Sequence, residues 1–263
     1  MSADPSVLRK ASSATPTLLA FELATEACSV ALLHDGRLLA RHEIAPRRHI
    51  ELALPWAEAL LAEAGLAKSQ LDALAVGVGP GAFTGVRLAI SLVQGIALGL
   101  DRPVLPVSTL AVLAEPFVAA GPVLAAIDAR MGELYLGEFA ADADGLPEEC
   151  GPEVLLSLAD AAPALARRWQ RAPDPAGALA EERRVGVGSG FSAGEGTWHA
   201  ALSPPLRWID ALALPTAEAV CRIATRDWYA GRAIVADRLQ PTYLRDKVAL
   251  TSAEQAAARA ARG

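Results

Sequence analysis

The sequence predicts an α/β protein made of two similar lobes. Apolar and β-branched strand patterns alternate with longer helical stretches in both halves of the chain. A short string, Val-Gly-Val-Gly-Pro-Gly at 76–81, returns as Val-Gly-Val-Gly-Ser-Gly at 185–190. A predicted strand hairpin precedes each string. We interpret this pattern as a duplication of one β-β-β-α-β-α unit, whose two copies face each other across a cleft.

The composition narrows the class of protein. The 263 residues, 52% of them hydrophobic, suffice for one large domain or two small ones. A net charge of −6 argues against a broad basic surface for nucleic acid. Cys28, Cys150 and Cys221 are far apart, which favours a reducing compartment over a disulfide framework. We find no secretory signal and no segment of transmembrane length, and therefore expect a cytoplasmic protein without a membrane partner.

The first half opens with a strand meander. Residues 18–25, 27–34 and 37–44 have strand patterns, and Asp35-Gly36 is a typical hairpin turn between the last two. Residues 49–64 then predict a helix that contains Pro55 and ends at Gly65. The predicted apolar stripe of this helix consists of Ile50, Leu54, Ala57, Leu61 and Ala64.

The stretch 71–100 organises the first half. It predicts a buried strand at 73–79, a glycine loop at 79–85 and a helix at 86–100. Free N–H groups where a helix begins suit a phosphate or carboxylate, although many glycine turns serve only tight packing. The loop matches neither a Walker A motif nor a dinucleotide-binding fingerprint.

The helix at 86–100 is apolar almost all round, so we expect it to be buried on nearly every side. At this length it is too short to cross a bilayer, and it carries Arg87. Ser91, Gly95 and Gly99 recur every four residues on the side of Arg87, and such a strip lets another helix approach closely. The sequence leaves open whether that helix belongs to the same chain or to another subunit.

The rest of the chain repeats the pattern. A strand at 104–107 and a helix capped by Ser108 complete the first lobe. In the second half we predict strands at 123–128 and 133–139, a helix at 154–170, and a helix at 215–229 that begins near Thr216. We place an N-terminal extension at 1–17, the lobes at 18–115 and 116–248, and an alanine-rich tail at 249–263.

Few residues show a pattern that indicates chemistry. None of the four histidines forms the i, i+4 pair of a helical metal site, and no Gly-x-Ser-x-Gly elbow occurs. Glu22 lies near the end of the first predicted strand, where a carboxylate could face a metal–nucleotide complex or simply solvent. Asp128 and Glu133 flank the second hairpin turn, where they could line a cleft mouth or serve the turn itself. The small arginine clusters have no interleaved aromatic residues and are typical of solvated faces.

Four strings resemble the bacterial TsaB (YeaZ) family. They are ELATEACSVAL at 22–32, GVGPGAFTGVR at 77–87, IDARMGELY at 127–135 and PTYLR at 241–245. The resemblance implies the two-lobed actin-like, sugar-kinase-like ATPase fold. It also implies a non-catalytic partner of the TsaD subunit, which transfers threonylcarbamoyl to N6 of adenosine 37 in tRNA, with the ATPase TsaE as a further partner.

By the same resemblance, the first-lobe helices at 49–64 and 86–100 should bind TsaD, or a second copy when the chain is alone. The implied partner-facing residues are Ile50, Leu54, Leu61, Arg87, Ser91, Gly95 and Gly99. No intrinsic cofactor is implied, the sequence leaves open whether ATP or ADP binds at the subunit boundary, and tRNA contact is at most indirect. The residues that could form a nucleotide-contacting loop are Glu22, Gly79, Gly81, Phe83, Thr84 and Gly85.

One departure from the family pattern bears on catalysis. Relatives usually carry Asp-Thr where this chain has Glu22-Leu23, so independent nucleotide hydrolysis is less expected here. Two alternatives remain at this point. One is an autonomous ATP-dependent, kinase-like enzyme of the same fold. The other is a metallopeptidase, which would need a ligand pair such as His-x-x-x-His that the sequence does not show.

Overall fold

The computed structural model describes residues 15–171 and 184–245. Most of the predicted N-terminal extension, residues 172–183 and the alanine-rich tail lie outside the described residues. The described residues form two β-sheets with five α-helices on and between them.

The first sheet contains the predicted meander. Its strands are Leu18–Glu22 (β1), Ala27–His34 (β2), Arg37–Ile44 (β3), Ala73–Gly77 (β4) and Val104–Val107 (β5). They lie in the order β3-β2-β1-β4-β5, with β1, β2 and β3 antiparallel and with β4 and β5 parallel to β1. Asp35 and Gly36 both have positive φ, as the hairpin turn requires, so the meander and its turn are confirmed.

The second sheet repeats the first. Its strands are Val123–Arg130 (β6), Glu133–Ala141 (β7), Pro147–Glu149 (β8), Val154–Ser157 (β9), Val185–Val187 (β10) and Ile209–Asp210 (β11). The order is β11-β10-β6-β7-β8, with β9 also pairing with β7. As in the first sheet, an antiparallel hairpin continues into two parallel strands. The two-lobed, actin-like fold that the sequence predicted is therefore confirmed.

The helices form three layers, one on the outer face of each sheet and one between the two sheets. They are His49–Glu63 (α1), Phe83–Leu100 (α2), Thr109–Ala114 (α3), Leu158–Arg171 (α4) and Ala217–Tyr229 (α5). α1 and α2 share a core with one face of the first sheet, and α4 shares one with the second sheet. α3 and α5 lie between the sheets, in a third core to which both sheets contribute.

The two central helices are exchanged between the halves of the chain. α3 follows the first sheet in sequence but packs on β6, β7 and β8. α5 follows the second sheet but packs on β1, β2, β4 and β5. Side-chain caps hold them in place: the hydroxyl of Ser108, the predicted cap, accepts from the backbone N–H of Leu110, and the hydroxyl of Thr216 accepts from that of Ala219.

The predicted helix at 154–170 is wrong at its start. Its first four residues form β9, in which Leu156 pairs with Leu134 of β7, and the helix begins at Leu158. An apolar run of this kind can form either a helix or a strand. Here it forms a strand because it pairs with the open edge of β7.

The predicted helix at 86–100 begins one turn earlier, at Phe83, so residues 83–85 are helical rather than loop. Its 18 residues are long and apolar enough to cross a bilayer by length and composition, so the length argument was wrong. Burial on nearly every side was also wrong. One face packs on the sheet through Val86, Ala89, Ile90, Val93 and Ala97, while the opposite face is exposed.

The apolar stripe of α1 is rotated from its predicted position. The core side consists of His49, Ala53, Ala57, Leu60 and Leu61. Ile50 and Leu54 are 64% and 40% exposed. Because this helix is apolar over much of its circumference, periodicity did not decide which side the sheet would cover.

The shared central core predicts one cooperative unfolding transition for the two lobes. Leu110 of α3 is fully buried between the sheets, and we expect Leu110→Ala to lower the free energy of unfolding by about 2–5 kcal/mol. Trp56 reports on the first lobe and Trp169 and Trp198 on the second, so fluorescence and circular dichroism should give coincident denaturant curves. Leu212→Ala, at an 87% exposed position, is the control. Two separate transitions would contradict the prediction.

Candidate functional site

A cleft of about 1310 Å³ lies between the lobes. The β1–β2 turn, the glycine loop and the start of α2 line it from the first lobe. The β6–β7 turn and the residues after β10 line it from the second. A C-terminal segment, residues 241–245, also lines it. The predicted cleft between facing lobes is therefore present.

The glycine loop packs directly against the β1–β2 turn. A Cβ added at Gly81 would collide with the carbonyl oxygen of Ala24, and one at Gly85 with that of Leu23. The backbone N–H of Ala82 donates to the Ala24 carbonyl at 2.7 Å. Close approach of two backbones therefore accounts for both glycines, whereas Gly79 is required by its positive φ of +91°.

Glu22 points into the first lobe rather than into the cleft. Its side chain is 1% exposed, and Gly77 has no room for a Cβ because the Glu22 carboxylate occupies that place. One carboxylate oxygen accepts from the Ala24 N–H at 2.8 Å, and the other accepts from the Thr109 hydroxyl at 3.3 Å. The solvent-facing alternative is thus wrong, and the carboxylate is engaged in holding the loop.

A short relay connects this carboxyl group with the glycine loop. The Thr109 hydroxyl donates to Glu22 and accepts from the backbone N–H of Gly79 at 3.1 Å. Burial raises the pKa of Glu22 from its ordinary 4.5 to about 7, against the opposing effect of hydrogen bonds from Ala24, Thr109 and Leu23. The first strand, the loop and the start of α3 are therefore joined at one buried titratable group.

The second hairpin turn serves both roles that the sequence left open. Asp128 lines the cleft and also accepts from the backbone N–H of Arg130 at 2.7 Å. Arg130 and Met131 both have positive φ and are exposed at the turn. Glu133 forms an ion pair with Arg245 of the C-terminal segment.

The predicted partner-facing residues fall into two groups. Ser91, Gly95 and Gly99 form an exposed strip. Outside the helix's own turns, no atom of the described chain lies within 4 Å of where a Cβ would stand at Gly95 or Gly99. The intramolecular neighbour that the sequence allowed is therefore not found among residues 15–171 and 184–245. Leu61, by contrast, is only 5% exposed and lies within the first-lobe core, so the prediction that it faces a partner is wrong.

Residues 15–171 and 184–245 contain no group of three or more His, Cys, Asp or Glu side chains placed to hold a metal ion. His49 is buried, and its Nε2 lies 3.1 Å from the carbonyl oxygens of both Thr25 and Ala27. It connects the start of α1 to the β1–β2 turn.

Three contacts of the site escaped the sequence analysis. They are the bond from Thr109 to Glu22, the contact of Arg87 with Tyr243, and the ion pair of Arg245 with Glu133. Each joins residues at least 87 positions apart. The only sequence signal was that all the residues in these contacts except Thr109 lie in the four family-like strings.

Comparison with known proteins agrees with those strings. Residues 42–167 match the family model described as TsaD: tRNA N6-adenosine threonylcarbamoyltransferase. The chain is 36% identical to the tRNA threonylcarbamoyladenosine biosynthesis protein TsaB of Escherichia coli (strain K12), over 88% of this chain and 96% of that protein. The chain belongs to the TsaB family. The resemblance seen in the sequence is thereby confirmed.

Solved structures of TsaB-type proteins have the same fold. YeaZ from Pseudomonas aeruginosa is 41% identical, with a TM-score of 0.73 over 87% of this chain and all of that one. A further Pseudomonas aeruginosa protein, described as similar to peptidase YEAZ, is 42% identical with a TM-score of 0.74. In this TsaB family member each of the four strings contributes residues to the cleft between the lobes.

The raised pKa of Glu22 predicts a pH-dependent stability. Between pH 4.5 and 7 the unfolded chain loses the Glu22 proton while the folded chain keeps it, so the free energy of unfolding should fall as pH rises. The loss should reach at most about 3 kcal/mol above pH 7. Glu22→Gln keeps a neutral hydrogen-bonding group there, so it should melt at a higher temperature than wild type at pH 8 and near wild type at pH 4.

Thermal melts between pH 4 and pH 8 test this. Glu26→Gln removes an exposed carboxylate from the same turn and is the matched control. A pH profile that is the same for wild type and Glu22→Gln would refute the assignment of the buried charge.

Proposed function

We propose that this protein is a non-catalytic subunit for synthesis of N6-threonylcarbamoyladenosine at position 37 of tRNA, and that it binds and stabilises a TsaD-type catalytic subunit. Its relatives are named as biosynthesis proteins for this modification, and the matching family model carries the name of the transferase. A TsaE-type ATPase joins the complex, and the isolated chain pairs with itself.

The exposed face of α2 is the observation that carries the proposal. Glycines in the middle of a helix cost roughly 1 kcal/mol each relative to alanine. Gly95 does not recover that cost by packing within the described chain, and Gly99, the next-to-last residue of α2, makes no such contact either. A helix of another protein could approach the Ser91, Gly95 and Gly99 strip closely, because no side chain larger than serine stands on it.

Exposed apolar side chains on the same two outer helices support the same conclusion. Ile50 and Leu54 on α1 and Leu98 on α2 are 64%, 40% and 60% exposed. Large apolar side chains in helices of one lobe are typical of a protein-binding surface. With the α2 strip they supply both the apolar area and the close approach that helix–helix association requires.

The position of Glu22 supports a non-catalytic role. Its carboxylate lies at the end of β1 but accepts hydrogen bonds from Ala24 and Thr109 inside the lobe. A group engaged in this way does not reach a metal–nucleotide complex in the cleft. We therefore prefer a structural subunit over an autonomous kinase-like enzyme.

Reconstitution with the TsaD and TsaE homologues of the same organism tests the proposal. We expect a complex by size-exclusion chromatography, and tRNA modification only when the TsaD-type protein is present. Absence of a complex, with and without ATP, would reject the stabilising role. ATP turnover or tRNA modification at enzymatic rates by the purified chain alone would favour the kinase-like alternative.

The glycine strip gives a sharper prediction. Gly95→Leu places a large side chain where the partner helix should approach, so we expect affinity for the TsaD-type partner to fall at least tenfold, about 1.4 kcal/mol or more. Because leucine is the better helix former, the melting temperature should stay unchanged or rise. Isothermal titration calorimetry and thermal melts separate the two effects.

Ala59→Leu is the matched control, since it adds a similar volume to an exposed position of α1 away from Ile50 and Leu54. It should bind like wild type. Normal affinity of folded Gly95→Leu would remove α2 from the interface.

A further inference from the structure

The C-terminal strap, defined here as residues 241–245, crosses the mouth of the cleft and contacts both lobes. Near its start, the backbone N–H of Thr242 donates to the carbonyl of Val78 at 2.9 Å, directly before the glycine loop. At its end, Arg245 contacts the β6–β7 turn of the second lobe. Five residues therefore connect the two rims of the cleft.

The first-lobe end of the strap holds Arg87 of α2. An Arg87 Nη2 hydrogen bond runs to the Tyr243 hydroxyl at 2.6 Å, and an Nη1 bond to the Phe83 carbonyl at 3.2 Å. The guanidinium group lies 3.2 Å from the Phe83 ring centroid and 5.1 Å from that of Tyr243. No carboxylate of the described chain pairs with Arg87, so its orientation depends on these aromatic partners.

The second-lobe end of the strap is an anchor. Arg245 donates to the carbonyl of Ala129 at 2.9 Å and forms an ion pair with Glu133. Its side chain is only 18% exposed. A charge-assisted bond that is partly shielded from water is stronger than a surface ion pair, so this end resists displacement.

The strap is separate from the core that joins the lobes. The central core consists of α3, α5 and the two inner sheet faces. A bond from the Ala217 N–H to the Ser29 hydroxyl and an ion pair of Arg222 with Glu115 add to that region. Loss of the strap should therefore loosen the cleft mouth without unfolding either lobe.

We propose that the C-terminal strap is a positioning element for the partner-binding face. Through Arg245 it fixes the second lobe, and through Tyr243 it fixes Arg87 and the first turn of α2. The start of α2 then has one orientation relative to the second lobe when the partner helix arrives. This inference rests on the proposed function, since it assigns a role in preparing the same α2 face.

Two variants release the strap from opposite ends. Arg245→Ala removes the anchor on the second lobe, and Tyr243→Phe removes only the hydroxyl that holds Arg87. For Arg245→Ala we expect about tenfold weaker binding of the TsaD-type partner, the equivalent of one charge-assisted hydrogen bond, with a smaller loss for Tyr243→Phe. Arg245→Lys keeps the charge opposite Glu133 and should recover part of the affinity.

Hydrogen–deuterium exchange of the free protein supplies a readout that does not need the partner. We expect faster exchange in residues 83–88 and in the β6–β7 turn of both release variants, with the central helix α5 unchanged. Arg207→Ala is the control, because the exposed Arg207 side chain makes no hydrogen bond or ion pair within the described residues. It should leave both exchange and affinity at wild-type values.

The outcomes separate the inference from the function on which it rests. Wild-type exchange in both release variants would overturn the strap's role, whatever their affinities. Lower affinity of Tyr243→Phe with unchanged exchange would also overturn it, since Tyr243 would then contact the partner directly. If wild type fails to bind the TsaD-type protein, the proposed function fails, and exchange alone decides whether the strap positions α2.

Discussion

An apolar layer between two β-sheets is the constraint on which the rest of the molecule depends. α3 and α5 fill this layer, and each packs on the sheet formed by the other half of the chain. The inner face of each sheet is buried by a helix that comes from the other half of the chain. The exchange therefore joins two similar units into one cooperative body and places their hairpin turns opposite each other. The cleft between those turns is a consequence of this packing.

In the first lobe, the glycine loop, the β1–β2 turn and Glu22 form one closely packed structural unit. The loop lies so close to the β1–β2 turn that side chains at Gly81 and Gly85 would strike carbonyl oxygens. The carboxyl group of Glu22 is buried behind the loop, and hydrogen bonds from Ala24 and Thr109 offset part of the cost of its burial. A glycine loop that by sequence could suit an anion therefore fixes two backbones together here.

The outer helix α2 has two different faces. α2 covers the sheet with one face and leaves a strip of small residues on the other. The first turn of α2 also lines the cleft, so one helix belongs both to the proposed partner-binding face and to the site between the lobes. Arg87 lies at this junction, where Tyr243 of the C-terminal strap contacts it. The cleft between the lobes and the proposed partner-binding face are thus physically connected.

The sequence by itself determined the features that depend on neighbours along the chain. The β1–β3 meander with its Asp35-Gly36 turn, the cap at Ser108, the duplication and the family all followed from local patterns. Tertiary structure alone decided which side of α1 meets the sheet, why residues 154–157 join an edge strand, where α3 and α5 pack, and that Glu22 is buried. These outcomes depend on contacts between distant residues. An apolar helix or strand can form with any one of several faces buried. The surfaces of the completed sheets decide which face is covered.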